Sequence, residues 1–120
     1  MKRILLVDDE KKIRKIYNKL LTQEGYNVIE AVNAMQASEI LVREKVDLVL
    51  LDINMPEIDG GILYDIMELF HKDVKVVVSS VYLLDEQRER IKGAYDYHDK
   101  SQGNEILLDK IRTAIENSTT

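Results

Sequence analysis

Five residues of this 120-residue chain carry side chains suited to phosphoryl chemistry: Asp8, Asp9, Asp52, Ser80 and Lys100. Asp9 and Asp52 are predicted to lie close together, and such carboxylates repel each other, so one keeps its proton unless a cation intervenes. A hard divalent ion such as Mg²⁺ binds oxygen ligands and commonly takes one or two carboxylates with water and phosphate. Mg²⁺ and the Lys100 ammonium would balance the three carboxylates and leave a neutral cluster able to accept a phosphoryl group.

The chemistry that this cluster favours is formation of an aspartyl-phosphate. A carboxylate can act as a nucleophile, and an aspartate, ordinarily ionised at neutral pH, needs no general base. With Asp52 as the nucleophile, the metal would offset charge on the phosphoryl oxygens. Lys100 would pair with one of these oxygens, and the Ser80 hydroxyl would donate to another.

Each of these residues also has a purely structural explanation. The acidic run at residues 8–10 could cap a helix, where acids favour the dipole, and Asp52 could cap a turn. Lys100 could be a solvated loop residue, and Ser80 could supply a turn hydroxyl. A joint function is favoured because all of them fall at the same end of one predicted sheet.

The stretch that ends in Asp52 predicts a strand buried on both faces of a parallel sheet. Residues 46–51 are largely apolar and mostly branched, without alternation, and are too few for a helix. Pro56, Asp59 and Gly60 then indicate a turn. A carboxylate at the carboxyl end of a central parallel strand faces the crevice where open α/β sheets bind ligands.

The rest of the chain alternates between strand and helix patterns. Further strands are predicted at residues 4–7, 26–31, 74–79 and 94–98. Four helices have an apolar face, made in turn by Ile13, Ile16, Tyr17, Leu20 and Leu21; by Ala34, Ala37, Ile40 and Leu41; by Leu63, Ile66, Met67 and Phe70; and by Leu107, Leu108, Ile111 and Ile115.

Helix ends and one further helix complete the pattern. Gly25 should stop the first helix, and Asn33 and Asn104 should cap the second and the last. A helix at residues 83–92 has few apolar anchors, so it is expected to be loosely held and mostly exposed.

Five strands alternating with five helices predict an α/β fold, a single doubly wound (βα)5 domain with helices on both faces of a parallel sheet. The first and third strands are the most apolar and should be central. This favours the order 2-1-3-4-5 of flavodoxin-like folds, with the switch point between strands 1 and 3. Asp9 and Asp52 would then be neighbours at the edge where the fourth and fifth strands deliver Ser80 and Lys100.

Bulk composition narrows the class of protein. With 45% apolar and 32% charged residues, the chain fits one globular domain over residues 1–120, with no output domain expected. The absence of cysteine excludes disulfides and thiolate metal sites. Apolar runs are too short to span a bilayer, so no membrane insertion and a cytoplasmic location are expected. A net charge of −5 argues against direct nucleic-acid binding. His71 and His98 are expected at surface or half-buried positions.

In these residues and their spacing the chain resembles the receiver domain of bacterial two-component response regulators, over essentially its whole length. The match consists of the acidic pair after strand 1, an Asp-x-x-Met-Pro-x-x-Asp-Gly segment after strand 3, and the residues that close strands 4 and 5: Asp8, Asp9, Asp52, Met55, Pro56, Asp59, Gly60, Ser80 and Lys100.

The resemblance implies a signalling switch rather than an enzyme, one that catalyses its own phosphorylation and dephosphorylation. Asp52 would accept a phosphoryl group from a phosphohistidine of a sensor histidine kinase or a histidine phosphotransfer protein. Asp9, Asp52 and the main-chain carbonyl of Asn54 would bind Mg²⁺, and Asp8 would hold the ion through water.

The resemblance also assigns the residues that change with phosphorylation. Ser80 would move onto the phosphoryl oxygens, and Tyr97 would be the switching aromatic, although it could simply be a half-buried strand residue. These shifts would alter the face made by the fourth helix, fifth strand and fifth helix, which an effector reads.

Three positions depart from the family pattern. Ser101 stands where the family usually has a proline in a cis peptide, so this loop is expected to be trans and Lys100 could be placed differently. Val81 occupies a position usually held by a small residue, and its bulk could narrow access to Asp52. Ser80 replaces the commoner threonine and keeps the hydroxyl.

Two alternative functions stay open at this point. A degenerate receiver would act as an interaction module without phosphorylation, which Val81 and Ser101 leave possible. A phosphohydrolase of the haloacid dehalogenase type also uses an aspartyl nucleophile and Mg²⁺, but it needs a second acid where Asn54 stands here.

Overall fold

The computed structural model of the protein describes residues 1–52, 65, 74–81, 83–90 and 93–117. Five strands and four helices alternate along these residues: β1 (Arg3–Val7), α1 (Lys11–Gln23), β2 (Asn27–Ala31), α2 (Ala34–Arg43), β3 (Leu48–Asp52), β4 (Lys75–Ser80), α3 (Leu84–Arg90), β5 (Asp96–Asp99) and α4 (Asn104–Glu116), with a short 3-10 helix at Lys100–Gln102 before α4. The apolar face predicted for a helix between β3 and β4 lies outside the described residues.

The strands form one parallel sheet in the order β2-β1-β3-β4-β5, which confirms the predicted topology. Every residue of β3 is buried, as its unbroken apolar pattern predicted. Val7 pairs with Leu51 across β1 and β3, and Asp52 pairs with Ser79 across β3 and β4. The carboxyl ends of the three central strands therefore meet at one edge.

The core consists of two apolar layers, one on each face of the sheet. Leu5 and Val7 of β1 face one layer with α2, whereas Ile4 and Leu6 face the other with α1 and α4. Because successive strand residues point to opposite faces, each central strand contributes to both layers. Each fully buried aliphatic side chain stabilises the fold by about 1.5–3 kcal/mol, so the central strands that carry the site are held by buried side chains on both faces.

The predicted helix ends are correct at two positions and wrong at a third. Gly25 adopts a positive φ of 92° just after α1, and the Asn33 side chain accepts a hydrogen bond of 2.8 Å from the Gln36 N–H at the start of α2. Asn104, by contrast, is the first residue of α4, and Gly103 is the N-cap. The preceding 3-10 helix ends at Gln102, and Gly103, with a φ of 91° and a ψ of 166°, is the non-helical residue from which α4 begins.

Most of the side chains that the structure describes in helix α3 are exposed, as its sequence predicts, but the helix also has a polar anchor. Gln87 is fully buried, and its Nε2 donates to the main-chain carbonyl of His98 on β5 at 2.9 Å. The sequence does not predict this contact, because a single glutamine between charged residues is typical of a solvent-exposed position.

Within the described ranges, no helix is both long enough and apolar enough to cross a membrane.

Candidate functional site

Asp52 is the last residue of β3 and is largely buried, with 7% of its surface exposed. Its Oδ2 lies 3.3 Å from Nζ of Lys100, which is itself only partly exposed. The predicted meeting of these two residues, which are 48 positions apart in sequence, is therefore present in the structure. Because both groups are shielded from water, their attraction is stronger than that of a surface pair.

Asp8 and Asp9 follow β1 at the same edge of the sheet. The Asp8 N–H donates to the carbonyl of Ala31 at 3.1 Å, which extends the pairing with β2 by one residue. Asp8 is buried and Asp9 is exposed, yet one carboxylate oxygen from each lies within 4.8 Å of an oxygen of Asp52 and of the other. The three acids that the sequence predicted to converge are together.

Burial raises the pKa of the Asp8 carboxyl from 3.8 to about 6, and the negative charge of Asp52 acts in the same direction. The Glu10 N–H, which donates to Asp8 Oδ1 at 2.9 Å, and the Lys100 ammonium oppose this rise. That one of Asp9 and Asp52 keeps its proton in the absence of a cation stays a prediction. The structure adds that Asp8 is the most deeply buried of the three acids.

The acidic run does not cap helix α1 through a side-chain hydrogen bond to the first turn. The N-cap of α1 is Glu10, and among the described residues no side chain makes a capping hydrogen bond there. The Asp8 carboxylate instead accepts from the Glu10 N–H, and Arg14 of α1 donates from its guanidinium to the Asp8 carbonyl at 2.9 Å. Helix α1 is thus tied to the acidic site through main-chain and arginine contacts.

The donor set fits a hard divalent cation. Three carboxylates offer oxygen ligands within 4.8 Å of one another, which is the chemistry that Mg²⁺ prefers. Burial is the main cause of the raised pKa of Asp8 and the negative charge of Asp52 adds to it, and a bound cation would offset that charge. Asn54, whose main-chain carbonyl was predicted as a further ligand, lies outside the described residues.

Lys100 is the first residue of the 3-10 helix that follows β5. The described residues contain no cis peptide bond, so the Lys100–Ser101 bond is trans, as expected from the serine in place of proline. Lys100 nevertheless reaches Asp52, so the departure at Ser101 has not displaced it.

Ser80 and Tyr97 lie on the two strands beyond Asp52. Ser80 closes β4 and is fully buried. The Tyr97 ring is also buried, its hydroxyl accepts a hydrogen bond from the Ala94 N–H, and the Arg88 guanidinium of α3 lies 5.5 Å from the ring centroid. Tyr97 thus joins β5 to α3. Val81 is 67% exposed, and its predicted effect on access to Asp52 stays a prediction.

His98 is fully buried, which corrects the expectation of a surface or half-buried position. Its Nε2 lies 3.0 Å from the Gly103 carbonyl and its Nδ1 lies 3.1 Å from Ser79 Oγ. A carbonyl only accepts, so Nε2 carries the proton and Nδ1 accepts from the serine. Burial lowers the pKa of His98 below 6.5. No pattern in the sequence could have indicated this role, because it depends on how the ring meets Ser79 of the neighbouring strand β4 and the carbonyl of Gly103 in the loop after β5.

A family model described as the response regulator receiver domain matches residues 4–112. The chain therefore belongs to the response regulator receiver domain family, whose members are the signalling switches of two-component systems. The family match gives no support to the haloacid dehalogenase alternative.

Individual relatives agree with this assignment. The chain is 32% identical over 117 residues to sporulation initiation phosphotransferase F of Bacillus subtilis, covering 94% of this chain and 90% of the relative. It is 37% identical to a putative NtrX-like response regulator of Rickettsia bellii, covering 94% of this chain but 24% of that protein. Some relatives are thus about as long as this chain and others are much longer.

Two solved structures share the fold. The response regulator TrrA of Thermotoga maritima, in complex with Mg²⁺-BeF, has a TM-score of 0.83 and 32% identity, covering 95% of this chain and 99% of its own. A CheY-like receiver domain of Methanospirillum hungatei has a TM-score of 0.91 and 28% identity, covering 98% and 96%.

Proposed function

We propose that Asp52 is the phosphoacceptor of this receiver domain and that it takes its phosphoryl group from the phosphohistidine of a sensor kinase or a histidine phosphotransfer protein. Asp8, Asp9 and the Asn54 carbonyl would hold Mg²⁺ together with Asp52. Response regulators as a class interact with such donors and with downstream effectors. The particular donor of this chain is part of the proposal.

The observation that carries the proposal is the placement of Lys100 and the acids around Asp52. Asp52 is buried at the end of a central strand, with an ammonium 3.3 Å away and carboxylate oxygens of Asp8 and Asp9 within 4.8 Å. A purely structural ion pair would need one acid beside the lysine. Asp8, a second buried acid with a raised pKa, lowers the stability of the fold when it is ionised. Such an acid is expected where a bound cation offsets its charge.

The reaction would be an in-line displacement at phosphorus. An Asp52 carboxylate oxygen forms a bond to phosphorus as the bond between phosphorus and the histidine nitrogen breaks, and the electron pair stays on that nitrogen, which takes up a proton. Bound Mg²⁺ would neutralise charge on the phosphoryl oxygens. The Lys100 ammonium would pair with a phosphoryl oxygen, and the Ser80 hydroxyl would donate to another.

The output would follow from the contacts of β5. Tyr97 is the proposed switching aromatic, and it joins β5 to α3 and α4: Arg88 lies over its ring, and the Lys110 ammonium contacts its carbonyl. A movement of Ser80 toward a phosphoryl group would alter the neighbouring strand and this surface of α3, β5 and α4. An effector would read that surface.

The test is phosphorylation with acetyl phosphate and Mg²⁺, followed by intact-mass measurement. The wild-type domain should gain one acid-labile phosphoryl group, and Asp52→Asn should gain none. Asp85→Asn is the matched control, because Asp85 is an exposed aspartate on α3, and it should be labelled like wild type. Labelling of Asp52→Asn would place the acceptor elsewhere, and an unreactive wild type would favour the interaction module.

Lys100→Ala separates metal binding from phosphoryl binding. Because Lys100 contacts Asp52 and the ion would sit among the acids, the variant should still bind Mg²⁺ while phosphorylation is uncoupled from the change in the output surface. Calorimetric titration with Mg²⁺ and NMR spectra after acetyl phosphate treatment measure the two effects. Loss of Mg²⁺ binding in this variant would contradict the proposed role of Lys100.

A further inference from the structure

The residues that flank Lys100 form a closed set of hydrogen bonds, which we call the lysine-loop clip (Asp99, Ser101 and Gln102). The Asp99 carboxylate accepts from the Ser101 N–H at 2.9 Å and from the Ser101 hydroxyl at 2.8 Å. The Gln102 side chain accepts from the Asp99 N–H at 3.2 Å, which completes a capping box around the 3-10 helix. Lys100 is the first residue inside this box.

The clip depends on the residue that departs from the family pattern. Proline has no N–H, so a proline at position 101 could give Asp99 neither the main-chain nor the hydroxyl donor. Both bonds from Ser101 favour the charged carboxylate and lower the pKa of Asp99, in agreement with the geometry. The hydrogen bonds that hold this loop therefore require a residue other than proline at position 101.

A second set of contacts fixes the far end of the same loop. The buried His98 donates to the Gly103 carbonyl and accepts from Ser79 on β4. Gly103 adopts a φ of 91°, and its N–H donates back to the Lys100 carbonyl at 3.4 Å. The lysine backbone is thus held from both sides, next to the strand whose Ser79 pairs with Asp52.

We infer that Asp99 and Ser101 are positioning residues for Lys100: the clip holds the lysine backbone so that its ammonium meets the phosphoryl group on Asp52. The inference rests on the proposed function, because a phosphoryl group at Asp52 is what the lysine would bind. Asp99 and Ser101 would act through Lys100 and would not touch the reacting atoms. A long lysine side chain reaches one point reproducibly only when its backbone is fixed.

The test compares two affinities in the same variants: that for Mg²⁺ alone, by calorimetry, and that for beryllofluoride in saturating Mg²⁺, by fluorine NMR. Asp99→Ala should weaken beryllofluoride binding and slow labelling by acetyl phosphate by on the order of tenfold, with Mg²⁺ affinity unchanged. Asp99→Asn keeps an acceptor oxygen and should recover most of the loss. Asp109→Ala, an exposed aspartate on α4, should match wild type.

Ser101 gives an independent test of the same bond. Ser101→Ala keeps the N–H and should have a small effect, whereas Ser101→Pro should resemble Asp99→Ala even though it restores the residue usual in the family. Should Asp99→Ala fail to fold, this pair of serine variants still decides the question. Higher beryllofluoride affinity in Ser101→Pro than in wild type would overturn the inference.

A double mutant identifies the route of the effect. In a Lys100→Ala background, Asp99→Ala should cause no further loss of beryllofluoride affinity, because its influence passes through the lysine. Additive losses, or a parallel fall in Mg²⁺ affinity, would mean a general structural role and would overturn the inference. If the wild-type domain binds no beryllofluoride, the proposed function itself fails. If the wild-type domain and the Asp99→Ala variant bind beryllofluoride equally well, only the positioning role of Asp99 fails.

Discussion

Asp8 shows how a residue can weaken the fold and still suit the site. It lies at the end of a buried strand with 1% of its surface exposed, beside a second buried carboxylate, Asp52. Burial raises its pKa to about 6, so at neutral pH the protein keeps a charge in a place that favours a neutral group. A bound cation would remove that penalty.

Asp8→Asn should therefore stabilise the metal-free domain and weaken Mg²⁺ binding. The folded-state pKa of Asp8 is raised, so its contribution to stability is fully present below pH 3.8 and is lost as the pH rises through about 6. The variant should gain roughly 1–3 kcal/mol in the free energy of unfolding at pH 7 and little near pH 4. Urea denaturation with a chelator measures the gain. Asp85→Asn is the exposed control, and an unchanged or lower stability of Asp8→Asn at pH 7 would contradict this account.

His98 should make stability depend on pH in the opposite sense. Burial lowers its pKa, so the unfolded chain takes up a proton at about 6.5 while the folded protein stays neutral. The free energy of unfolding should therefore fall as the pH drops below about 6.5. NMR titration of the imidazole should give an inflection below 6.5 for His98, with His71→Gln used to assign the signal. An inflection at or above 6.5 would show that the ring is not held neutral.

At the scale of elements, few of the side chains that the structure describes in α3 are buried. Asp85, Glu86 and Arg88 are exposed, whereas the buried Gln87 donates to the His98 carbonyl. A helix with so few buried contacts is easily shifted. That property suits the surface proposed to signal the state of Asp52.

Gln87→Ala should loosen α3 without disrupting the sheet. The variant loses a buried hydrogen bond, which is worth about 1 kcal/mol, and leaves a small cavity. Hydrogen exchange of the amides of Leu84–Arg90 should become faster, while exchange in β1 and β3 stays slow. Glu86→Ala, an exposed position on the same helix, should behave like wild type. Equal protection of α3 in Gln87→Ala would show that other contacts hold the helix.

At the scale of the molecule, the strand order brings the site together. Asp8 and Asp9 follow β1, Asp52 ends β3 and Lys100 follows β5, and the parallel sheet puts all these chain ends at one edge. Since the acids belong to different strands, an ion bound between them would join elements that are distant in sequence. Binding should therefore stabilise the whole fold.

Mg²⁺ should raise the melting temperature of the domain. A ligand at one hundred times its Kd stabilises the folded state by about 2.7 kcal/mol when it does not bind the unfolded chain. Thermal denaturation in Mg²⁺, compared with NaCl at equal ionic strength, measures the increment. Asp52→Asn should reduce it, because a carboxylate ligand is lost. An equal rise with NaCl would indicate charge screening in place of a specific site.

The sequence alone determined the fold class and the identity of the acids and the lysine, and the apolar first and third strands favoured the strand order known for flavodoxin-like folds. These follow from local information: apolar runs of strand length, helical periodicity with stop and cap residues, and polar residues just past the strands. A parallel sheet places all such residues at one edge, so convergence of Asp8, Asp9, Asp52 and Lys100 required no knowledge of side-chain contacts.

Only the tertiary structure decided which acid is deepest, how the lysine loop is held and why His98 is buried. Burial of Asp8 depends on the strands beside it, and the contacts of His98 and Gln87 depend on how β4, α3 and the loop after β5 pack against β5. The hydrogen bonds from Ser101 to Asp99 hold the loop at the position where the family pattern has a proline. Such contacts depend on distances across the folded chain, and a linear pattern of residue types does not contain those distances.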